Sequence, residues 1–122
     1  MTDIIRVPGF VPTRSWGSTY KELVWALGMS DDLSLSADEQ VYRAFKNLDK
    51  VLAEAGTDKT RLISVTVMLN DIENKPLMDK VWEKWIGTNP SHWPERSCFG
   101  VSLHAGNCIE LRAVAVRTER VT

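Results

Sequence analysis

Residues 36–70 read SADEQVYRAFKNLDKVLAEAGTDKTRLISVTVMLN, and within them a helical repeat hands over to a strand repeat. Val41, Ala44, Phe45, Leu48, Val51, Leu52 and Ala55 recur at three- and four-residue steps, tracing one apolar stripe along a helix. Ser36 and Glu39 have the spacing of a capping box, and Gly56 suits the residue just past the helix end. From Leu62 to Asn70 the period changes to two. Ile63, Val65, Val67 and Leu69 make one wholly apolar face, while Ser64, Thr66 and Met68 make a mixed one, which predicts a strand.

Working outward, a second helix is predicted from Asn74 or Lys75, with Pro76 in its first turn, Leu77, Val81 and Trp85 on its buried stripe, and Gly87 as its stop. Arg96–Leu103 and Cys108–Arg117 alternate as strands. The intervening His104-Ala105-Gly106-Asn107 reads as a hairpin turn, which would make the two strands antiparallel neighbours. Toward the N-terminus, Ile4–Val7, Thr13–Thr19 and Lys21–Met29 are short strand candidates with a turn near Tyr20. The predicted class is α+β: one sheet in the order βββαβαββ, with both helices on one face. The second face would then carry Cys98, Gly100, Val114 and Val116 beside Arg96, Glu110 and Arg112. That mixture is too apolar for water and too charged for a monomer core, so it predicts subunit association around a lined cleft.

The 122 residues fit one domain, 1–122, of a size that gains from oligomerisation. A net charge of −1 with interspersed signs gives no electrostatic footprint for nucleic acid or an anionic membrane. The start MTDIIRVPGF is not that of a signal peptide, and no apolar run is long enough to span a bilayer. Two cysteines, Cys98 and Cys108, form no C-x-x-C pair, which predicts reduced thiols and a cytoplasmic setting. His92 and His104 fall in turns without metal-ligand spacing, so no metal is expected.

The charged residues of the second face carry the candidate chemistry. Arg96 offers a planar fork suited to a carboxylate, and Glu110 a carboxylate able to orient or deprotonate water. From spacing alone, a structural Arg96–Glu110 ion pair, or a network including Arg112, is the simpler account. Trp82 and Trp85 are expected to pack the second helix, whereas Trp93, just before Arg96, is placed to close over a site.

From Gln40 onward the chain resembles the RidA-type (YjgF-like) imine deaminases. The similarity lies in the helix closing in L-A-E-A-G, the strand-turn V-T-V-M-L-N-D-I, the W-E-K-W-I helix, P-E-R-S-C and the closing I-E-L-R-A-V-A-V-R. The resemblance covers about three-quarters of the chain, and P-x-R-S-C followed by I-E-x-x-A-x-A is its most specific part. It implies a chorismate-mutase-like subunit in a homotrimer with a barrel-like core and a site in each inter-subunit cleft. By position, Arg96 would bind the substrate carboxylate, the Cys98 backbone carbonyl would contact the substrate nitrogen, and Glu110 would position the hydrolytic water. Gly28 would line the pocket and leave room for ligand, Trp16 would stand for a pocket tyrosine, and Asp79 for an asparagine. Leu27 replaces a serine usual before that glycine.

The implied activity is hydrolysis of reactive 2-imino or enamine acids to 2-keto acids and ammonia. It uses a small carboxylate substrate and no cofactor, since an imine carbon is already electrophilic. Three other readings share the same residues: a non-catalytic trimer that binds small carboxylates or keto acids as a sensor, a deaminase dedicated to an aminomuconate-like product, and a chaperone- or nuclease-like role. The balanced charge gives the nuclease role no support.

Overall fold

The computed structural model describes residues 3–118. Six strands form one sheet: β1 (Ile5–Pro8), β2 (Ser15–Tyr20), β3 (Leu23–Met29), β4 (Leu62–Leu69), β5 (Glu95–Gly100) and β6 (Ile109–Val116). Two helices, α1 (Ala37–Glu54) and α2 (Lys75–Ile86), complete the predicted order.

Helix α1 begins where the sequence says it should. The Ser36 Oγ accepts from the Glu39 N–H at 3.3 Å and donates to the Glu39 carboxylate at 3.2 Å. At the other end Gly56 takes φ +85°, and the Thr57 N–H returns to the Leu52 carbonyl at 3.0 Å. A residue with a side chain resists that left-handed turn. The predicted stripe, from Val41 to Ala55, is buried against the sheet, where β6 contributes Ile109, Leu111, Ala113 and Ala115 and β4 contributes Val65, Val67 and Leu69. Each large side chain buried there stabilises the fold by about 1.5–3 kcal/mol. Ile63 does not share the buried face. A register irregularity between Leu62 and Ser64 turns it outward, and it is 47% exposed.

Sheet order is β1-β2-β3-β6-β4-β5, which corrects the expected β5–β6 hairpin. β4 lies between them, antiparallel to β6 and parallel to β5. The segment after β5 crosses the end of β4 before entering β6. The Val101 N–H bonds the Leu69 carbonyl at 2.8 Å, and the Asn70 N–H bonds the Cys108 carbonyl at 3.1 Å. A turn-like tetrapeptide therefore sits within a crossing loop. The β4-α2-β5 unit supplies the parallel pair, as a helical crossover does.

This order resets the faces. In register, Arg96 lies beside Val65 and Cys98 beside Val67, so both point to the helix-covered side. Glu110 lies beside Met29 and Met68, on the open side with Arg112 beside Leu27 and Val114 beside Trp25. Arg96 and Glu110, expected on one face, are on opposite faces.

Gly28 also has a different job from the one expected. A Cβ there would stand 2.6 Å from the Ala44 carbonyl oxygen and 2.7 Å from the Leu48 Cβ. The missing side chain makes room for α1, on the side away from the open face. Gly28→Ala should therefore cost about 1–3 kcal/mol through overpacking. Denaturant unfolding would measure it as a lower midpoint with an unchanged slope; a variant as stable as the parent would show that α1 is not seated this tightly.

Candidate functional site

Two places gather the residues singled out from the sequence. The first lies where β5 meets α2. The Arg96 guanidinium makes an ion pair with Asp79 at 2.8 Å and lies over the Trp82 ring at 5.1 Å from its centroid. Its Nη1 also approaches the Met78 sulfur at 3.6 Å. Asp79 uses its other oxygen for Lys75, one helical turn earlier, again at 2.8 Å. The local sum is thus one carboxylate between two cations.

Partial burial pushes the Asp79 carboxyl up. Hydrogen bonds and charge from Lys75 and Arg96 more than offset this, leaving it below the ordinary carboxylate range. Cys98 stands on the same side of β5, where burial pushes its thiol up despite the nearby Arg96. A thiol held neutral is a poor nucleophile.

The expected Arg96–Glu110 structural pair is absent: the carboxylate on Arg96 is that of Asp79. Trp82 packs the core, with its ring 6.1 Å from Phe45 and 5.6 Å from Trp85, and also supports the guanidinium. Sequence periodicity showed the first role and missed the second. Trp93 is 55% exposed, and its indole N–H is held by the Gly87 carbonyl at 3.0 Å at the end of α2.

The second place is a cavity of about 500 Å³ at one end of the open face, with Glu110, Trp16, Leu27, Arg14, His104 and Asn107 in its wall. Glu110 also lines an adjoining depression beside Arg112 and Thr66. Trp16 is buried and tilted against Phe10, with ring centroids 5.0 Å apart. Of the residues expected at the site, the cavity brings together Glu110, Trp16 and Leu27. Asp79, Arg96 and Cys98 gather at the first place instead.

Arg14, His104 and Asn107 were not anticipated as cavity residues. His104 and Asn107 were hidden inside a tetrapeptide read as a simple turn. The buried Gln40 was also missed, although it stands four residues before Ala44 and eight before Leu48, on the apolar stripe itself. A polar residue at such a position is a signal in its own right.

Among the described residues no cluster of three or more His, Cys, Asp or Glu side chains has metal-holding geometry, and Cys98 and Cys108 are free thiols. No helix among these residues is long and apolar enough to cross a membrane.

Fold and charges together define a small single-sheet α+β domain with a guanidinium cluster at one sheet edge and a carboxylate-lined cavity on its open face. A model of the Endoribonuclease L-PSP family matches residues 23–117, and the chain belongs to this family, the RidA/YjgF family. It is 31% identical over 80 residues to a human protein named 2-iminobutanoate/2-iminopropanoate deaminase, covering 65% of this chain and 56% of that one. A RutC family protein of Haemophilus ducreyi is 31% identical over 72 residues, covering 59% of this chain and 60% of the relative. The matched segments thus span little more than half the length of these relatives. Among solved structures, a YjgF-family member from Neisseria meningitidis superimposes with a TM-score of 0.84 at 26% identity, covering 97% of this chain and 98% of that one.

The Asp79 ion pairs have a pH signature. A carboxyl whose folded pKa is depressed contributes stability that is present above the unfolded value and is lost as pH falls through the folded one. Asp79→Asn should therefore lower stability at neutral pH, and the gap between variant and parent should close as pH drops below the unperturbed value of 3.8. Paired unfolding curves from pH 7 to pH 3 would show it; a gap that stays constant with pH would deny Asp79 its charged role.

Proposed function

We propose that this protein hydrolyses small 2-imino or enamine acids to 2-keto acids and ammonia as a homotrimer. Each site would lie in an inter-subunit cleft built by Arg96 of one copy and Glu110 of another. The observation that carries this reading is the placement of those two side chains on opposite faces of one sheet, with β4 between their strands. Neighbouring strands are about 4.8 Å apart. Within one chain, a three- or four-carbon acid cannot span two strand spacings and the thickness of the sheet.

Between copies the obstacle disappears. β5 is an edge strand with Phe99 and Val101 exposed beside it, and the open face presents the exposed Trp25 in the depression that Glu110 also lines. An apolar sheet face and an unpaired edge are surfaces that association would cover. The human relative's name supports the reaction class.

Mechanistically, the guanidinium held by Asp79 and Trp82 would take the substrate carboxylate, and the Cys98 carbonyl would face the substrate nitrogen. Glu110 would orient a water and accept its proton as oxygen attacks the imine carbon. The resulting carbinolamine expels ammonia once its nitrogen is protonated. With one carboxylate between two cations, the cluster keeps a single positive charge in excess, which matches one substrate carboxylate and makes monocarboxylic imines the preferred class.

Subunit-shared sites make a strict prediction. Arg96→Ala and Glu110→Gln should each lower kcat/KM for freshly generated imino acid, by roughly 10²-fold for the lost general base. Trimers assembled from equal amounts of the two variant chains should recover activity in about a quarter of their clefts, which receive both native groups. No recovery in verified mixed trimers would rule out the shared site, and full activity in both single variants would rule out the deaminase reading.

A further inference from the structure

Asp79 divides its two oxygens between two cations: Oδ1 meets Arg96 and Oδ2 meets Lys75, each at 2.8 Å. The Arg96 fork does not close on Asp79 with both terminal nitrogens. Nη2 makes the ion pair, while Nη1 is turned to the Met78 sulfur at 3.6 Å. A thioether is a weak acceptor, so a stronger one can replace it. The Trp82 ring supports the guanidinium whether or not Asp79 is in contact. Both partners keep access to solvent, with 20% of the Arg96 side chain and 34% of Asp79 exposed, so an arriving ligand can meet the pair.

Lys75 stands where α2 itself gains nothing from a cation. It is the first residue of the helix, in a turn that carries no acid. The helix dipole disfavours positive charge there, and a lysine four residues before an acid is the weaker order for an intrahelical pair. Helix energetics therefore do not account for Lys75, whereas its contact with the free oxygen of Asp79 does. Asp79 has a partner in reserve.

We propose that Asp79 is a specificity-determining counterion that a ligand carboxylate displaces from Arg96, with Lys75 holding the released Asp79. The inference rests on the reading that Arg96 takes the substrate carboxylate. Before binding, two cations share one carboxylate. After the exchange, Lys75 with Asp79 and Arg96 with the ligand are two neutral pairs. A neutral carboxamide cannot complete the exchange, because drawing Arg96 off Asp79 would leave a partly buried guanidinium without a counterion. The site therefore selects acids over amides. Standing competition from Asp79 also weakens every bound acid, the keto-acid product included.

Calorimetric titration of the assembled protein with 2-oxobutanoate reads this competition directly. Asp79→Asn keeps the shape and removes the charge, so it should bind about 10-fold tighter even though it is less stable. An Asp79 that only positioned Arg96 would give the opposite sign. Lys75→Met removes the reserve partner from a side chain that is 44% exposed, and should bind about threefold weaker; it also decides the matter if Asp79→Asn fails to fold. In the Asp79→Asn background the same Lys75 change should alter affinity by less than about twofold, because Lys75 acts through Asp79. The parent should bind 2-oxobutanamide at least about 10-fold more weakly than the acid. Unchanged or weaker binding in Asp79→Asn, unchanged or tighter binding in Lys75→Met, an equal Lys75 effect in both backgrounds, or an amide that matches the acid overturns the proposal. So does an absence of binding in both the parent and Asp79→Asn. Intact affinity in Arg96→Ala would remove the Arg96 reading itself, whereas binding lost in Arg96→Ala beside an Asp79→Asn that fails to tighten would remove this proposal alone.

Discussion

Strand β4 is hydrogen-bonded on both of its edges, antiparallel to β6 and parallel to β5, and its Val65, Val67 and Leu69 are fully buried under the helices. Residues facing each other across paired strands share a sheet face, so this one strand dictates where the charges of its neighbours go. Through Val65 it assigns Arg96 to the helix side, and through Met68 it assigns Glu110 to the open side. Had β5 and β6 been direct neighbours, one chain would have contained both groups on one face. With β4 between them, the two charges belong to different surfaces of the chain.

On the helix side, a guanidinium needs a counterion, since unpaired buried charge is costly. α2 provides one in Asp79 and a stacking surface in Trp82. A cation over an indole face is worth about 0.5–2 kcal/mol, and with the Asp79 ion pair it holds the guanidinium in place. Lys75 makes the arrangement more than a closed pair. Asp79 binds the two cations through different oxygens, so it keeps one partner even when a competing carboxylate draws Arg96 away. An arginine held by a counterion that can tolerate its loss is ordered yet still able to exchange partners.

Local patterns in the chain reveal the elements and conceal their neighbours. The α1 stripe, the Ser36–Glu39 cap, the Gly56 stop and the two-residue alternation of β4 are written in contiguous residues, and each is realised within a residue or two. Pairing of β5 with β4 depends on contacts distant along the chain, and the tetrapeptide before β6 has the composition of a hairpin turn whichever strand lies next to it. The same asymmetry affects the site. Arg96, Glu110 and Asp79 were legible as charges in conspicuous motifs, but their faces were not, because a face is inherited from the partner strand. Gly28 was legible as a required glycine; only the position of Ala44 and Leu48 shows that the close approach is by a helix.

Helix α1 links these levels. Its apolar stripe closes the core, and its first turn carries Gln40, which sets the loop entering β6. Buried amides are costly unless every donor and acceptor is paired, and Gln40 meets that condition with backbone groups drawn from two separate loops. Any shift of α1 on β3 would therefore be felt in the cavity wall. Leu48 and Ala44 seat the helix against Gly28, and Gln40, one and two turns earlier on the same face, carries that seating to Gly106 and Cys108. Packing at the middle of the sheet and hydrogen bonding at its end are thus one constraint, transmitted by a single rigid helix to the residues around Glu110.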